Sequence, residues 1–357
     1  MMNKLYYNFL FIGIALILTF SSCNKNGVPK KTTDIVIYPT PPDTARIQYL
    51  TSISDSKNIT GRRNAFLRFV LGDFQPYPLV KPYGIAVKKG KIYICDTGSN
   101  GITIIDLAKK SLIPFFPKGK GQLKAPINCF VDDNEYLYVA DGERRQVVVF
   151  DKKGEYVNAF GETENFKPTD VFVVNDKVYV VNSKNNRINI YKKGTFELLS
   201  FFPESGQGSE DFLYTPVNIY VSPDKVYVSD MGDFKIKKYT LEGKYINSVG
   251  SYGKNLGQFV RPKGIAVDKE ENLFVVDAGF ENTQIFDKQD RLLMYFGGPY
   301  KAPGDMWLPA KITLDYENLQ YFQKYVDPSF ELKYLIFVTN QYGPDKISVY
   351  GAVGPKK

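Results

Sequence analysis

Histidine is absent from all 357 residues of this chain. Its absence excludes imidazole general bases, histidine metal ligands and Ser-His or Cys-His nucleophile pairs. It also excludes attachment of a c-type haem, which requires a histidine after its cysteine pair. An enzyme built on this chain would therefore have to use Asp, Glu, Tyr, Lys or a metal bound by carboxylates.

The chain also lacks a hydrophobic run long enough to span a bilayer, which takes roughly 18 apolar residues. Its apolar run near the start, Phe9–Phe20, is shorter than that, and it follows Met1–Asn8 with a single lysine. The small residues Ser21 and Ser22 come next. This order is typical of a secretory signal peptide, which we predict to occupy residues 1–22.

Cys23 follows the small pair directly, an arrangement that resembles the lipobox of bacterial lipoproteins. The resemblance implies that Cys23 is the lipidated N-terminus of a protein of the bacterial cell envelope, with the membrane as a partner. An uncleaved N-terminal anchor is the alternative. Residues 23–45 offer no core to bury and are expected to form a flexible tether. Asn24 favours the outer membrane, with the protein facing the periplasm.

Nucleic acid is not an expected partner, although the formal net charge is +8. The lysines are scattered singly along the chain, and no basic run is interleaved with stacking aromatic residues. A net positive charge spread over the chain in this way does not indicate a particular ligand.

Six copies of one module account for most of the remaining chain. Each copy opens a short strand with a proline, and these are Pro82, Pro126, Pro168, Pro216, Pro262 and Pro309. Each second strand ends in Asp or Asn, at Asp96, Asp141, Asn182, Asp230, Asp277 and Asn340. Each second strand also contains an aromatic residue whose neighbours on both sides are apolar, as in Val178-Tyr179-Val180. Both faces of such a strand must therefore be covered. Radially stacked sheets do this, which predicts an all-β, six-bladed β-propeller of four-stranded antiparallel blades.

Closure of the ring is also indicated by the pattern. The sixth copy supplies Ile312–Leu314, Leu335–Asn340 and Ile347–Gly351, and then the chain ends without a fourth strand. Arg46–Ser54 contains apolar residues but belongs to no copy. We predict that this N-terminal strand completes blade six, so that no sheet edge stays open. The propeller is expected to occupy residues 46–357 and to be monomeric.

The openings Pro82-Tyr-Gly-Ile-Ala-Val87 and Pro262-Lys-Gly-Ile-Ala-Val267 resemble those of NHL-repeat six-bladed propellers. Together with the lipobox, they are similar to bacterial NHL-type propeller lipoproteins. The resemblance extends to propellers that are calcium-dependent lactonases and to a zinc-dependent lyase. However, the lyase ligands are histidines, and the residues after the six prolines do not reproduce the lactonase ligand set. We therefore expect no catalytic residue, no metal and no cofactor.

The position two residues after each opening proline should lie near the mouth of the central channel, the default ligand site of a propeller. Four of these positions carry polar groups that are candidate ligand contacts: Asn128, Asp170, Asn218 and Lys311. Binding of a hard cation through the three oxygen-bearing side chains is one alternative. A structural or solvated role is another.

Blade six departs from the repeat through an insertion at Asp315–Tyr334. It contains six aromatic residues that form a candidate partner surface: Tyr316, Tyr321, Phe322, Tyr325, Phe330 and Tyr334. Tyrosine is a frequent anchor of protein interfaces. The alternative is that the insertion folds over its own blade and covers apolar surface.

Cys95 and Cys129 fall inside predicted strands of blades one and two. They are expected to be buried as small apolar side chains, and a disulfide between them is the alternative in an oxidising compartment.

These observations favour a binding protein over an enzyme. The first hypothesis is a lipid-anchored scaffold that faces the periplasm and binds a protein or another envelope component. The alternative is a sensor of a small ligand or carbohydrate, or a lactonase-like hydrolase, that works at the channel mouth. The fold alone does not decide between them, because propellers carry unrelated functions.

Overall fold

The computed structural model describes residues 35–61, 75–161 and 164–356. The predicted signal peptide, Cys23 and residues 24–34 of the predicted tether lie outside these ranges. Within them, the helices are all too short or too polar to cross a membrane.

The described chain forms six sheets that follow the six copies of the repeat. It begins with β1 (Ile37–Tyr38) and β2 (Ile47–Ile53). Blade one contains β3 (Pro82–Lys88), β4 (Lys91–Asp96), β5 (Gly101–Asp106) and β6 (Ser111–Phe115). Blade two contains β7 (Pro126–Val131), β8 (Leu137–Asp141), β9 (Gln146–Phe150) and β10 (Tyr156–Gly161). Blade three contains β11 (Pro168–Val174), β12 (Lys177–Asn182), β13 (Arg187–Lys192) and β14 (Leu198–Phe202).

The next two blades have the same organisation. Blade four contains β15 (Pro216–Val221), β16 (Lys225–Asp230), β17 (Lys235–Thr240) and β18 (Tyr245–Val249). Blade five contains β19 (Pro262–Val267), β20 (Leu273–Asp277), β21 (Asn282–Phe286) and β22 (Leu292–Gly297). Blade six is built on β23 (Pro309–Asp315), β24 (Phe330–Asn340) and β25 (Ile347–Pro355). Two short α-helices, α1 (Ser56–Thr60) and α2 (Leu319–Phe322), and 3₁₀ turns at Gly119–Gly121 and Gln323–Tyr325 lie in connections.

The predicted closure of the ring is confirmed. Strand β2 pairs antiparallel with β25, with Tyr49 opposite Tyr350, and so completes blade six. Strand β1 pairs with β2 and adds a fifth strand to this blade alone. The sheet therefore includes Ile37 and Tyr38, so the prediction that residues 23–45 form a flexible tether is wrong at these two residues.

The hydrophobic core lies between neighbouring blades, as the two-sided apolar strands predicted. Every residue of β8 is buried. Its Tyr138 packs in one cluster with Val171 and Val178 of blade three. Comparable clusters join the other blades. Burial of each such side chain stabilises the fold by about 1.5–3 kcal/mol, so stacking of the blades holds the ring together.

The acidic or amide residue that ends each second strand fastens the connections at one face of the ring. Pro82 lies opposite Asp96 in the sheet, so the start of the first strand and the end of the second share this face. The Asp96 carboxylate accepts from the backbone N–H groups of Val80 at 2.7 Å and Lys81 at 2.8 Å, and from that of Gly98 at 3.0 Å. The expected bond to the following turn is thus present, together with bonds to the preceding connection. We call the face that carries the six opening prolines the proline face.

Cys95 and Cys129 are free thiols buried in the core between blades one and two. The prediction of a buried apolar role is confirmed, and the alternative disulfide is not formed. Burial raises the pKa of the Cys95 thiol well above its ordinary value, and the neighbouring Cys129 adds to this.

Candidate functional site

The structure brings the four predicted channel residues together from four different blades. Asn128 Nδ2 donates to the Thr169 carbonyl at 2.8 Å and to Asn218 Oδ1 at 3.3 Å. Lys311 Nζ donates to the same Asn218 oxygen at 3.2 Å and forms an ion pair with Asp170. These contacts follow from the repeat, because equivalent positions of six blades converge on one axis.

The four side chains are buried inside the ring. Their exposed fractions are 0% for Asn128 and Asn218, 1% for Asp170 and 8% for Lys311. Their burial agrees with the structural role that was one of the alternatives, and their role as ligand contacts near the channel mouth stays a prediction. A Cβ atom added at Gly84 would lie 2.6 Å from the Asn128 Cα, and one at Gly264 would lie 2.7 Å from the Lys311 Cα. The side chains therefore fill the channel instead of lining an opening.

The ion pair between Lys311 and Asp170 is the centre of this channel network. Asp170 also accepts from the backbone N–H groups of Val171 and Ile219, each at 3.0 Å. Burial raises the pKa of Asp170, while the Lys311 ammonium opposes the shift. The ammonium lies between the Asp170 and Asn218 oxygens, where a bound cation would have to be. Among residues 35–61, 75–161 and 164–356, no three His, Cys, Asp or Glu side chains form a metal-binding group.

The lysine that follows Pro262 at the proline face packs against an aromatic ring. Lys263 is 6% exposed, and its Nζ lies 5.2 Å from the centre of the Tyr83 ring. No carboxylate or hydrogen-bond acceptor contacts this Nζ within the part of the chain that the structure describes. Burial lowers the pKa of Lys263 to about 8, and the charges of Arg261 and Lys81 contribute. Burial also raises the pKa of Tyr83 to about 12, with a further contribution from Asp170.

An exposed aromatic group lies on the proline face, in the connections next to Pro309 and Asn340. Trp307 and Tyr342 are each 47% exposed, although both are large apolar side chains. Tyr300 stacks on Trp307 with ring centres 5.9 Å apart, and the Tyr342 N–H donates to the Trp307 carbonyl at 3.4 Å. Lys81 Nζ lies 5.2 Å from the centre of the Tyr342 ring. We call Tyr300, Trp307 and Tyr342 the aromatic patch.

Most of the blade-six insertion is packed against the propeller. Phe322 is buried against Phe337 with ring centres 5.5 Å apart, and Tyr321 and Phe330 pack on the same core. The rings of Tyr316 and Tyr334 lie 4.9 Å apart, and the Tyr334 hydroxyl donates to Asp268 at 3.1 Å. Tyr325 is the exposed member, at 37%. These contacts support the alternative, in which the insertion covers apolar surface, and its role as a partner surface stays a prediction.

Sequence reasoning did not single out Lys263 or the aromatic patch as site residues. Lys263 follows an opening proline, a position that was considered only for metal ligands. Trp307 is the one tryptophan of the chain and lies in the connection before Pro309. A search of the six connections on the proline face for exposed aromatic residues would have found it.

No protein-family model matches this chain. Protein brain tumor of Drosophila melanogaster is 28% identical over 94 residues, which are 26% of this chain and only 9% of that protein. A structural genomics protein of unknown function from Bacteroides thetaiotaomicron has 18% identity and a TM-score of 0.59, covering 87% of this chain and 76% of its own.

A catalytically inactive histidine-to-alanine variant of virginiamycin B lyase from Staphylococcus aureus, solved with quinupristin, has a similar fold. It has 15% identity and a TM-score of 0.53, and the match covers 76% of this chain and 95% of the lyase. At such low identities, these likenesses establish the fold alone. Together with the sheet topology, the solved structures show a six-bladed β-propeller.

Proposed function

We propose that this chain is a non-enzymatic binding protein of the bacterial cell envelope. In this proposal, lipid on Cys23 anchors it to the outer membrane, and the propeller faces the periplasm. The proline face then binds a protein or another envelope component. The observation that carries the proposal is the exposed aromatic patch on a rigid ring.

The composition of the patch supports a protein partner. Tryptophan and tyrosine are enriched among the residues that dominate binding energy at protein interfaces. Trp307 and Tyr342 leave about half of their surface in solvent, and Lys81 extends the patch with a charge. The neighbouring Val80 is also 49% exposed. Burial of these side chains by a partner would stabilise the complex by about 25 cal/mol for each Å² of apolar area removed from water.

The likeness to a lyase does not support catalysis by this chain. The lyase variant described as catalytically inactive differs by replacement of a histidine, and this chain contains no histidine. The channel residues also form closed contacts with one another, so Asp170 is engaged by Lys311 and by two backbone N–H groups. Neither a lyase nor a lactonase-like hydrolase is therefore proposed.

The test is crosslinking of the tagged full-length protein in cells, followed by purification and mass spectrometry. We expect a specific partner that is lost in the Trp307→Ala, Tyr342→Ala double variant and retained in Tyr325→Ala, the matched control in the insertion. A partner lost with Tyr325→Ala but retained by the double variant would move the interface to the insertion. Equal capture by all three proteins would contradict a role of the proline face.

A further inference from the structure

A cavity of about 270 Å³ lies between blades five and six, on the face opposite the proline face. It is bordered by the end of β25 and the start of β2, two strands that pair in the sheet but are not consecutive in the chain. In blades one to five, a short connection joins the third strand to the fourth. The apolar wall of the cavity consists of six side chains: Ile47, Phe274, Ile285, Met294, Ala352 and Val353.

Short connections fill the corresponding space at other interfaces between blades. Phe196, between β13 and β14, packs on the Tyr138 ring of the preceding blade with ring centres 6.5 Å apart. Leu241, between β17 and β18, packs in the cluster of Tyr179 and accepts from its hydroxyl through the backbone carbonyl at 3.2 Å. Phe274 corresponds to Tyr138 and Tyr179 in the repeat. Since no such connection joins β25 to β2, part of the space beside Phe274 is left as the cavity.

Charged groups of both signs line the same cavity. Arg46, Glu270 and Lys333 are exposed, and none of their charged groups forms a hydrogen bond or ion pair with another residue that the structure describes. Asp268, close to Glu270 in the same turn, is by contrast engaged. Its carboxylate accepts from the Asn272 side-chain amide at 2.8 Å and from two backbone N–H groups at 2.9 and 2.8 Å. A ligand in the cavity would therefore meet one free carboxylate and two free cations.

We propose that this cavity binds a small zwitterion with one apolar side chain, which is the chemistry of a free apolar amino acid. The apolar side chain enters the cavity, while the ammonium pairs with Glu270 and the carboxylate with Arg46 and Lys333. An apolar cavity of about 150 Å³ admits a benzene ring, so the larger volume here accommodates a branched or aromatic side chain. Binding sites of drug-sized ligands span about 300–1,000 Å³, so the ligand of this cavity is smaller than those.

The apolar body and the charges have different roles in this site. Exposed ion pairs contribute little individually, so burial of the apolar side chain supplies most of the affinity. The charges at the cavity select a ligand that carries both signs, because a lone amine or a lone carboxylate leaves one side unpaired. The site is independent of the partner proposed above, since it lies on the opposite face and needs no residue of the aromatic patch.

The test compares thermal unfolding of the full-length protein with four probes: L-leucine, glycine, isopentylamine and isocaproate. Isopentylamine is leucine without its carboxylate, isocaproate is leucine without its amine, and glycine has the charges without the side chain. Binding to the folded state raises Tm, and the rise grows with ligand concentration relative to Kd. We expect the largest rise with L-leucine and none with glycine.

Three outcomes of this comparison would overturn the proposal. The absence of a rise with both L-leucine and L-phenylalanine would show that the cavity takes no apolar amino acid. A rise with glycine equal to that with L-leucine would exclude a role of the apolar wall. A rise with isopentylamine or isocaproate equal to that with L-leucine would exclude selection of a zwitterion.

Met294→Trp tests whether the ligand occupies the cavity itself. Met294 is half-buried and lines the cavity, so the larger ring has space to enter it. We expect Tm without ligand to stay near or above that of the wild type, because the ring fills a void, and the response to L-leucine to be lost. A folded Met294→Trp protein with the wild-type response would overturn the proposal.

Glu270→Gln provides a second variant at an exposed side chain, so folding is preserved whatever the effect of Met294→Trp. We expect roughly three- to tenfold weaker binding of L-leucine and unchanged binding of isocaproate, which has no ammonium. Glu271→Gln is the matched control, because its side chain is 58% exposed and does not line the cavity. Equal losses in the two Gln variants would show a general effect of charge and overturn the role of Glu270. Wild-type affinity in both Met294→Trp and Glu270→Gln would refute the site, even if partner capture depends on the aromatic patch as proposed.

Discussion

Removal of Lys311 should destabilise the propeller strongly at neutral pH. Asp170 is 1% exposed, and Lys311 is the cation that compensates its charge. Loss of one member of a buried ion pair costs about 3–5 kcal/mol, because the other is left as an isolated charge. We therefore expect Lys311→Met to lower the free energy of unfolding by about this amount at pH 7.

The loss of stability caused by Lys311→Met should be larger at neutral pH than at acidic pH. The folded-state pKa of Asp170 lies above its unfolded value, mainly because of burial. The folded state thus binds more protons, and stability falls as the pH rises from the unfolded to the folded pKa. Without Lys311 the pKa of Asp170 is raised further, so the penalty of Lys311→Met should be largest at neutral pH and shrink towards pH 4.

The assay is urea unfolding followed by the fluorescence of Trp307, at pH 7 and at pH 4.5. The double variant Asp170→Asn, Lys311→Met should recover much of the lost stability at pH 7, since it leaves no buried charge. Lys109→Met, which breaks only an exposed ion pair, should change the free energy of unfolding by about 0.5 kcal/mol or less. A Lys311→Met penalty that is absent at pH 7, or the same at both pH values, would refute the reasoning.

Two further predictions concern the insertion and the cysteines. Phe322→Ala should lower the free energy of unfolding by about 3–5 kcal/mol, because it removes a buried ring that packs on Phe337. Tyr325→Ala, at an exposed side chain, should lower it by under about 1 kcal/mol. Equal urea midpoints for the two variants would contradict the packing of the insertion. In a Cys23→Ser protein, a thiol reagent at pH 8 should react slowly with Cys95 and Cys129 until denaturant is added, because both thiols are buried and free. If the unfolded protein reacted with no thiol reagent at all, the two cysteines would form a disulfide instead.

The repeat allowed much of the channel to be predicted from sequence. Asn128, Asp170, Asn218 and Lys311 occupy the same position in different blades, so a closed ring has to bring them together. The hydrogen-bond and ion-pair partners of these side chains could not be predicted from the repeat. Whether Lys311 reaches Asp170 or solvent depends on how closely the first strands approach, and this distance is set by the packing of all six blades.

The insertion and the cysteines show the same division. The aromatic content of Asp315–Tyr334 was evident, but an aromatic side chain serves equally as a core residue and as an interface anchor. Only contacts with distant residues, such as that of Phe322 with Phe337, assign it to the core. The buried state of Cys95 and Cys129 followed from their strand positions, whereas their oxidation state depends on side-chain geometry.

The sequence by itself determined the number of blades, the two-sided burial of the second strands and the closure of the ring by residues near Arg46. These are periodic properties, because each repeat must cover both faces of its strands and each sheet edge must find a partner. The tertiary structure alone decided that Lys311 pairs with Asp170 and that Tyr300, Trp307 and Tyr342 form one patch. Such features depend on the distances between side chains of different blades, and no local pattern in the chain encodes those distances.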